Sequence, residues 1–507
     1  MTQSNVYSKK LQKMKTNLVN KDISIGKSAI VLTICKVLKL VITIVTSMIL
    51  SRYLVLSEYG TYSELLTVAS LFVSIFSIGL PDCLNYFIPK HTSQSEKIKL
   101  FRNYFTIVLI ISILISLLAL FLAPYVSAYY HNGQIKTYFY FLMIIPASNI
   151  LLLTRSNMLV ASNKTKRELI YSLCNAGCLL VAVIIILLLK LSFTSFVIIY
   201  VVIESFFAIT VIFEAFYLCE KPFAPQIDLS LLRRILYFSI PLGISLAIST
   251  ISLDLDKLIV GYFYDEASVA IYANAGKELP FTLLTSSFSA VILPQLVSLK
   301  NNPFKAITIW KKGMDICFCA LSFCCFACIV FAPQIMTLLY SDKYLPGVPI
   351  FRIYSILLLV RITYWGMILN SRGKTKLLLL SSSLSLLLNL CLSILLTKIL
   401  GLIGPAIATV ISISFVAFMN LSLTKKETKI PISSCLPLKS FVYCLLINYP
   451  LGLLVFKTVD YIGIGTSKKA IFVAFLIGFI WATLYFVFVA KHLRKTWAAF
   501  SKPKDHS

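Results

Sequence analysis

The sequence predicts an all-α polytopic membrane protein with fourteen transmembrane helices, and three observations support this fold class. The 507 residues are 58% hydrophobic and only 13% charged, a balance typical of polytopic membrane proteins and not of soluble ones. Apolar runs of about 20 residues, long enough as helices to cross a hydrocarbon core about 30 Å thick, recur along the chain. Lysine and arginine residues are also distributed unequally between alternate loops.

The predicted spans follow fourteen apolar runs. In chain order they lie near residues 30–50, 64–88, 104–123, 138–160, 169–189, 193–218, 235–255, 277–298, 314–340, 349–369, 377–397, 402–423, 440–457 and 470–490. The first run is too long for a cleavable signal peptide and follows a polar, basic tail, so we expect it to be a membrane helix.

The distribution of basic residues predicts the orientation. Of the 47 Lys and Arg residues, 32 fall in loops on the side of the N-terminus, 10 fall in the opposite loops and five lie inside the spans. Cytoplasmic loops are enriched in Lys and Arg, and an even number of spans then places both termini in the cytoplasm. The formal charge of +27 therefore reflects membrane topology, and we expect no nucleic-acid partner.

Two similar segments 210 residues apart indicate an internal repeat. Lys164-Thr165-Lys166 and Lys374-Thr375-Lys376 each follow an apolar run, and three further pairs recur in the same order at nearly the same spacing. These are Tyr62 with Tyr272, Leu80-Pro81 with Leu293-Pro294, and Ala123-Pro124 with Ala332-Pro333. Because six spans separate each landmark from its partner, both copies keep one orientation, as in transporters built from parallel repeats.

The repeat predicts how the chain is divided. We expect a cytoplasmic tail (1–29), an N-lobe of helices 1–6 (30–218), a cytoplasmic linker (219–234), a C-lobe of helices 7–12 (235–423), helices 13–14 (424–490) and a cytoplasmic C-terminal tail (491–507). Repeat-built transporters bind substrate near mid-membrane between their halves, so we expect the substrate site there.

Basic residues inside the spans are the candidate substrate-binding residues. A charge at membrane depth normally faces a partner or a water-filled cavity, and ammonium and guanidinium groups pair strongly with phosphate. The sequence therefore predicts a cleft that accepts a phosphorylated or acidic substrate. Two alternatives remain open: an ion pair with Glu204 in helix 6, and snorkelling of the arginines near helix ends to the interface. The candidates are Lys36, Lys39, Arg361, Arg155 and Arg352.

Several predicted helices carry polar stripes. Lys36 and Lys39 share about 100° of arc with three hydroxyl residues of helix 1. Similar stripes occur on helices 7, 10 and 11, and close helix packing is the alternative interpretation of the serine-rich ones. Their members are Thr43, Thr46 and Ser47 on helix 1; Ser245, Ser249, Ser252 and Asp256 on helix 7; Tyr354, Arg361, Tyr364 and Trp365 on helix 10; and Ser382, Ser385, Asn389 and Ser393 on helix 11.

A second set of charged residues supplies candidates for a gate or for ion coupling. Glu64, Asp254 and Asp256 lie near the outer ends of their spans. Either they bind a coupling cation, or they pair with nearby basic residues to close the cleft or to form simple interface charges. The complete set is Arg52, Glu64, Glu204, Asp254, Asp256 and Lys257.

We predict no catalytic residue, no metal site and no cofactor. The four His residues show no HExxH pattern, no Gly-x-Ser-x-Gly sequence occurs, and Gly26-Lys27-Ser28 lacks the earlier Gly of a phosphate-binding loop. Five of the 13 Cys residues lie within Cys317–Cys328 inside one span, with no matching pair of His residues. We interpret them as small apolar packing residues.

Several segments resemble bacterial polysaccharide transporters. They are SRYLVLSEYGTYSELLTVASLFVSIFSIGLPDCLNYF (51–87), IPLGISLAISTISLDLDKLIVGYFYDEASVAIYA (240–273), FAPQIMTLLYSDKY, NSRGKTK and GLIGPAIATVIS (401–412). The resemblance covers most of residues 20–425 and identifies the chain as a member of the multidrug/oligosaccharidyl-lipid/polysaccharide (MOP) flippase superfamily. Asp256-Lys257 stands where the family commonly has Asp-Arg, which loses the bidentate guanidinium.

The resemblance implies a flippase for an undecaprenyl-pyrophosphate-linked oligosaccharide of O-antigen or capsule, in the bacterial cytoplasmic (inner) membrane. The expected partners are this lipid-linked substrate, the bilayer and a coupling proton or sodium ion, with a polysaccharide polymerase and chain-length machinery as further candidates. An ion-coupled drug exporter is the alternative within the superfamily, but it predicts acidic cavity residues. A membrane polymerase or ligase is a third interpretation, disfavoured by the short outer loops.

Overall fold

The structure, a computed structural model, is predominantly helical, and it contains no β-strand in the ranges that it describes. These ranges are 34–80, 84, 87–88, 93–162, 164–219, 228–277, 280–463 and 465–501. The predicted cytoplasmic tail 1–29 lies outside them, as do half of the predicted linker (220–227) and the last six residues. The all-α polytopic fold class is confirmed.

Fourteen longer helices within the described ranges are labelled in chain order. They are α1 (Ile34–Tyr53), α2 (Leu56–Phe76), α3 (Gln94–Tyr129), α4 (Phe139–Ala161), α5 (Thr165–Leu189), α6 (Phe193–Cys219), α7 (Leu229–Phe263), α8 (Thr282–Ser298), α9 (Pro303–Val330), α10 (Val348–Val360), α11 (Thr375–Leu400), α12 (Gly404–Thr428), α13 (Leu438–Tyr461) and α14 (Lys468–Ser501). Shorter helices include Glu266–Ala275 and Ala332–Leu339.

Ten helical stretches within the described ranges are long and apolar enough to cross a membrane. They contain α1, α3, α4, α5, α6, α9, α10, α13 and α14, and the tenth, Thr375–Thr428, joins α11 to α12. Because α2, α7 and α8 fall outside this set, the count of fourteen spans stays a prediction.

A sharp turn ends α2 earlier than the sequence predicts. The predicted span 64–88 is interrupted after Phe76, and Ile78 and Gly79 adopt positive φ angles of 51° and 64°. A Cβ atom on Gly79 would stand 2.6 Å from the backbone nitrogen of Gly243 in α7. Because Gly79 and Gly243 both lack a side chain, the turn packs directly on the α7 backbone.

The predicted continuous span 349–369 is also interrupted. Helix α10 ends at Val360, and a turn precedes the short helix Met367–Ser371. Trp365 Nε1 donates a hydrogen bond to the Val360 carbonyl (2.8 Å), and Thr285 Oγ1 donates one to the Arg361 carbonyl (2.9 Å). These bonds satisfy carbonyl groups that the end of a helix leaves free, which stabilises the break.

The chain forms two compact units. The first contains Val68–Ala128, Gly133–Ala247 and the described part of Met1–Tyr53. In it α4 packs against α5 and α6. Aromatic rings join α4 to α6, with Phe141 stacked on Tyr200 at a centroid distance of 5.5 Å.

The second unit contains Leu54–Thr67, Tyr129–Asn132 and Ile248–Ser507. Its apolar core joins α9 to α13 and α14, with Trp481 and Tyr485 of α14 packed on Phe323 at 5.3 and 5.6 Å between ring centroids. Helix α11 packs along α12. Two short segments of the predicted N-lobe belong to this unit, so the compact units cut across the predicted repeat, which itself stays a prediction.

Candidate functional site

The two lysines of the predicted cationic stripe lie near the start of α1, where the apolar side chains Val37 and Leu38 are exposed as well. Lys36 and Lys39 are both exposed, and among the described residues no carboxylate oxygen lies within 4.0 Å of either ammonium group. The predicted ion pair with Glu204 is therefore not formed. Thr43 Oγ1 donates to the Lys39 carbonyl at 2.8 Å, so this hydroxyl is turned to its own helix. An exposed ammonium group inside a span requires water or an anion beside it.

Two buried carboxylates lie near this part of α1. Glu204 of α6 is within electrostatic range of Lys39 and of Arg155, and Glu168 of α5 is within range of Cys35 and of Arg155. Glu168 accepts a hydrogen bond from Ser172 (2.9 Å), and Glu204 accepts one from Asn175 (3.4 Å).

The second oxygen of each of these carboxylates is buried without a hydrogen-bond partner among the described residues. The Lys39 ammonium is thus attracted to the Glu204 carboxylate without forming an ion pair with it. Glu168 was not among the predicted site residues, although it lies two residues after the first Lys-Thr-Lys turn.

Arg155 lies inside the first unit, away from any open surface. Its side chain is 3% exposed, and Nη1 donates to the Phe207 carbonyl (3.3 Å) and to Thr210 Oγ1 (3.1 Å) of α6. Its guanidinium also stacks over the Tyr171 ring of α5 at 4.5 Å from the ring centroid. Arg155 joins α4 to α5 and α6, so its burial contradicts the predicted place in an open cavity and the alternative of snorkelling.

The two arginines near α10 occupy different environments. Arg352 is half-buried, and its Nε donates to the Ile329 carbonyl of α9 at 3.1 Å. Arg361 lies where α10 ends and is within electrostatic range of Asp256. The predicted face shared by Tyr354, Arg361, Tyr364 and Trp365 does not form, because the helical periodicity stops at Val360.

Glu64 belongs to a buried polar cluster of the second unit. It is 1% exposed, and its Oε2 accepts a hydrogen bond from Asn132 Nδ2 at 2.8 Å. The same amide group reaches Thr61 Oγ1 at 2.9 Å, and Tyr59 nearby donates to Asn274 at 2.9 Å. Arg52, the predicted basic partner, is exposed and belongs to the first unit. The side-chain amide of Asn132, in the loop after α3, therefore fixes the Glu64 carboxylate in this cluster.

Asp254 and Asp256 have different partners. Asp254 forms the ion pair with Lys257, at 2.6 Å between Nζ and Oδ1, which agrees with the predicted pairing. Asp256 is 4% exposed, and no lysine or arginine nitrogen of the described residues lies within 4.0 Å of its carboxylate. Adjacent residues of a helix do not face one another, so Lys257 reaches back three residues instead.

Hydroxyl groups surround the Asp256 carboxylate. Thr409 Oγ1 of α12 lies 2.7 and 2.8 Å from its two oxygens, and the Tyr354 hydroxyl of α10 donates to it. Tyr272 extends the chain of hydroxyls to Tyr354 at 3.0 Å, and Asn389 of α11 contacts Thr409 at 3.3 Å. Four helices therefore contribute oxygen atoms around one buried carboxylate, and the basic groups of Lys257 and Arg361 lie within electrostatic range of it.

The polar stripe of α11 faces α12. Ser385 Oγ donates to the Ser412 carbonyl (3.0 Å), and Ser393 Oγ donates to Asn389 Oδ1 (3.1 Å). A Cβ atom on Gly404 would stand 2.4 Å from the Leu396 carbonyl oxygen, so these helices are in very close contact. Close helix packing is therefore the correct interpretation of Ser385 and Ser393, while Asn389 also joins the network around Asp256.

Comparison with known proteins identifies the family. A family model described as polysaccharide biosynthesis protein matches residues 49–349, more than half of the 507 residues. No protein with a curated description matches the chain significantly in sequence.

Solved structures of similar fold are transporters. The lipid II flippase MurJ in an inward closed conformation has a TM-score of 0.71 at 16% identity, covering 92% of this chain and 99% of its own. An inward-facing multidrug resistance MATE transporter of the MOP superfamily gives 0.59 at 14% identity, covering 78% of this chain and 95% of its own.

A MOP superfamily transporter from Pyrococcus furiosus, for which a reversed polarity of the binding pocket suggests a different function, gives 0.54 at 13% identity. It covers 81% of this chain and 96% of its own. At these identities the likeness shows the fold. The family match, which covers more than half of the chain, establishes that the chain belongs to the polysaccharide biosynthesis protein family.

Proposed function

We propose that this protein is a flippase for an undecaprenyl-pyrophosphate-linked oligosaccharide of O-antigen, capsular or exopolysaccharide type. It moves the repeat unit from the cytoplasmic to the periplasmic leaflet of a bacterial inner membrane by alternating access, coupled to an ion gradient. Family membership and the fold shared with a lipid II flippase support a lipid-linked substrate. The solved structures of similar fold are transporters, which supports a transport function without a catalytic step.

The observation that carries this proposal is the exposure of Lys36 and Lys39 without a carboxylate in contact. A pyrophosphate offers several charged oxygens to ammonium groups, and such charge-assisted hydrogen bonds are about twice as strong as neutral ones. The undecaprenyl chain is itself apolar and needs no polar site. The α1 stripe thus suits the linkage between lipid and sugar.

Glu168 and Glu204 give the stripe a means of release. Each carries a buried oxygen without a hydrogen-bond partner among the described residues. They attract the ammonium groups when no substrate is bound, so the lysines are not stranded in an apolar environment. Phosphate then competes with two fixed carboxylates, which limits its affinity and allows it to leave.

Asp256 is the coupling-ion residue of the proposal. A carboxylate has about four lone-pair positions, and the hydroxyl donors of Thr409 and Tyr354 leave at least one of them open. A buried charge is costly, so a proton or a sodium ion completes its neutralisation. Oxygen atoms of Thr409 and Asn389 are ligands of the type that hard cations prefer.

Replacement of both lysines tests the substrate site. In a host that lacks its own flippase, the Lys36→Ala/Lys39→Ala variant should lower surface polysaccharide by about tenfold or more, the effect of losing about 1.4 kcal/mol of binding. Lipid-linked repeat units should accumulate on the cytoplasmic leaflet. The Lys36→Arg/Lys39→Arg variant keeps the charge and should retain export.

The control variant is Lys398→Ala, which removes an exposed lysine from the end of α11 and should leave export unchanged. Each variant is compared at equal amounts of folded protein in the membrane. Export at the wild-type level by the double alanine variant would overturn the proposed substrate site.

The alternative function, a multidrug exporter of the same superfamily, makes the opposite prediction. Cationic drugs are repelled by the α1 lysines, so their replacement would then raise drug resistance. Growth of the same variants in the presence of cationic dyes distinguishes the two functions. The exposed charges of α1 favour the flippase.

A further inference from the structure

Four potential metal ligands meet where α9, α13 and α14 pack together. Asp315 and Cys319 are one turn apart on α9, Cys444 lies on α13 and His492 lies on α14. On the predicted topology, all four lie toward the cytoplasmic ends of their helices. The first two and Cys444 are buried, while the His492 side chain keeps 29% of its surface exposed. An ion therefore has a route to the cluster.

Three of the six distances between the donor atoms are close to the edge of a coordination tetrahedron, and Cys444 joins the other three residues through Cys319. Bonds of about 2.0–2.3 Å around zinc place neighbouring ligand atoms about 3.3–3.8 Å apart. His492 Nε2 lies 3.0 Å from Asp315 Oδ2, Cys319 Sγ lies 3.9 Å from Asp315 Oδ1, and the sulfur atoms of Cys319 and Cys444 are 3.4 Å apart. The Asp315, Cys319 and His492 donor atoms all lie within 4.8 Å of one another.

We propose that Asp315, Cys319, Cys444 and His492 bind a divalent metal ion of the zinc class. Two thiolates, one imidazole and one carboxylate suit a tetrahedral ion of borderline softness better than calcium or magnesium, which take oxygen ligands. Thr496 Oγ1 donates to Asp315 Oδ2 at 3.1 Å, the kind of outer contact that orients a ligating carboxylate.

A metal at this position fastens the last two helices to the second repeat. Helices α13 and α14 are outside the predicted duplication, and their ligands reach α9 from two sides. The ion would offset two of the three negative charges of Asp315 and the two thiolates beside an apolar core, which contains Trp481 and Tyr485. Its role is structural, because all four coordination positions are filled by protein.

The experiment measures metal retained by the full-length protein in detergent. The protein is incubated with zinc sulfate, freed of unbound metal by gel filtration, and analysed for zinc by mass spectrometry. We expect about one zinc per chain, as in a structural site. The Cys319→Ser/Cys444→Ser variant should retain at least tenfold less, whereas Cys325→Ser, a buried cysteine of the same helix, should retain the wild-type amount.

Cobalt supplies a second readout that does not depend on stability. Cobalt bound by thiolates gives an intense charge-transfer band in the near ultraviolet, and this band should disappear in the double variant and persist in Cys325→Ser. The proposal is overturned if wild-type protein retains no more zinc than the double variant, or if the cobalt band is absent. Neither measurement involves transport, so the result is independent of the proposed function.

Discussion

Thr409 Oγ1 on α12 lies within 2.8 Å of both carboxylate oxygens of Asp256 on α7. A hydroxyl group has one hydrogen, so it cannot satisfy both oxygens at full strength. This contact links the first and last helices of the predicted C-lobe through one buried charge. Binding of the proposed ion to the Asp256 carboxylate would therefore change how these two helices pack.

Replacement of Asp256 should uncouple transport from the ion gradient. In proteoliposomes with a proton or sodium gradient, Asp256→Asn should lower the gradient-driven rate by about 5- to 150-fold, the range given by a coupling free energy of about 1–3 kcal/mol. Asp254→Asn, which removes the ion pair with Lys257, should change the rate by less than about threefold. Equal effects of the two variants would contradict the assignment.

Thr409→Val should weaken binding of the coupling ion. Valine keeps the volume of threonine and removes the hydroxyl oxygen beside Asp256. Loss of one such polar contact costs about 1–3 kcal/mol, so the ion concentration for half-maximal transport should rise about 5- to 150-fold. Thr458→Val on α13 is the control, since its hydroxyl only bonds to the Leu454 carbonyl of its own helix. If the ion concentration for half-maximal transport were unchanged in Thr409→Val, Thr409 would not be part of the ion site.

Arg155→Ala should affect stability and leave transport intact. The variant loses two charge-assisted hydrogen bonds and a ring contact in the interior of the first unit. The expected fall in the free energy of unfolding is about 2–4 kcal/mol, measured by denaturation in detergent. Transport per folded molecule should stay within about twofold of wild type. If the variant were as stable as wild type but had lost transport, Arg155 would instead be assigned to the substrate site.

Asp228 should make stability depend on pH at the start of α7. Hydrogen bonds from Lys99, Ser230 and Leu231 lower the pKa of its carboxyl group, because they favour the charged form. This stability is fully present above the pKa of an unfolded aspartate, about 3.9, and is lost as the pH falls through the lower folded value.

Asp228→Asn keeps the helix-capping oxygen and removes the charge. The melting temperature of this variant should lie below that of wild type at pH 7, and the difference should shrink below about pH 4. A difference that does not depend on pH would contradict the role of the charge.

Sequence patterns predicted the helical framework because they report local properties. Apolar runs correspond to helices, and the two Lys-Thr-Lys turns each precede a helix, with α5 beginning at Thr165 and α11 at Thr375. The interruption of α10 was missed because it depends on hydrogen bonds that Thr285 and Trp365 make with free carbonyl groups. Hydrophobicity carries no signal of such bonds.

The candidate sites were predictable only where the partners are close in sequence. Asp254 and Lys257 are three residues apart on one helix and form the predicted pair. Asp256 finds its hydroxyl partners on α10 and α12, and the four proposed metal ligands come from three helices. The prediction of no metal site rested on the local spacing of Cys and His residues. Local spacing does not reveal ligands that tertiary packing brings together.

The most direct test of the substrate site is translocation by purified protein. Proteoliposomes carry an undecaprenyl-pyrophosphate oligosaccharide, and a lectin or glycosidase added outside detects sugar on the outer leaflet. Wild type and Lys36→Arg/Lys39→Arg should expose the sugar, whereas Lys36→Ala/Lys39→Ala should do so at least about tenfold more slowly with unchanged thermal stability. Equal rates for the alanine and arginine variants would contradict a cationic binding site on α1.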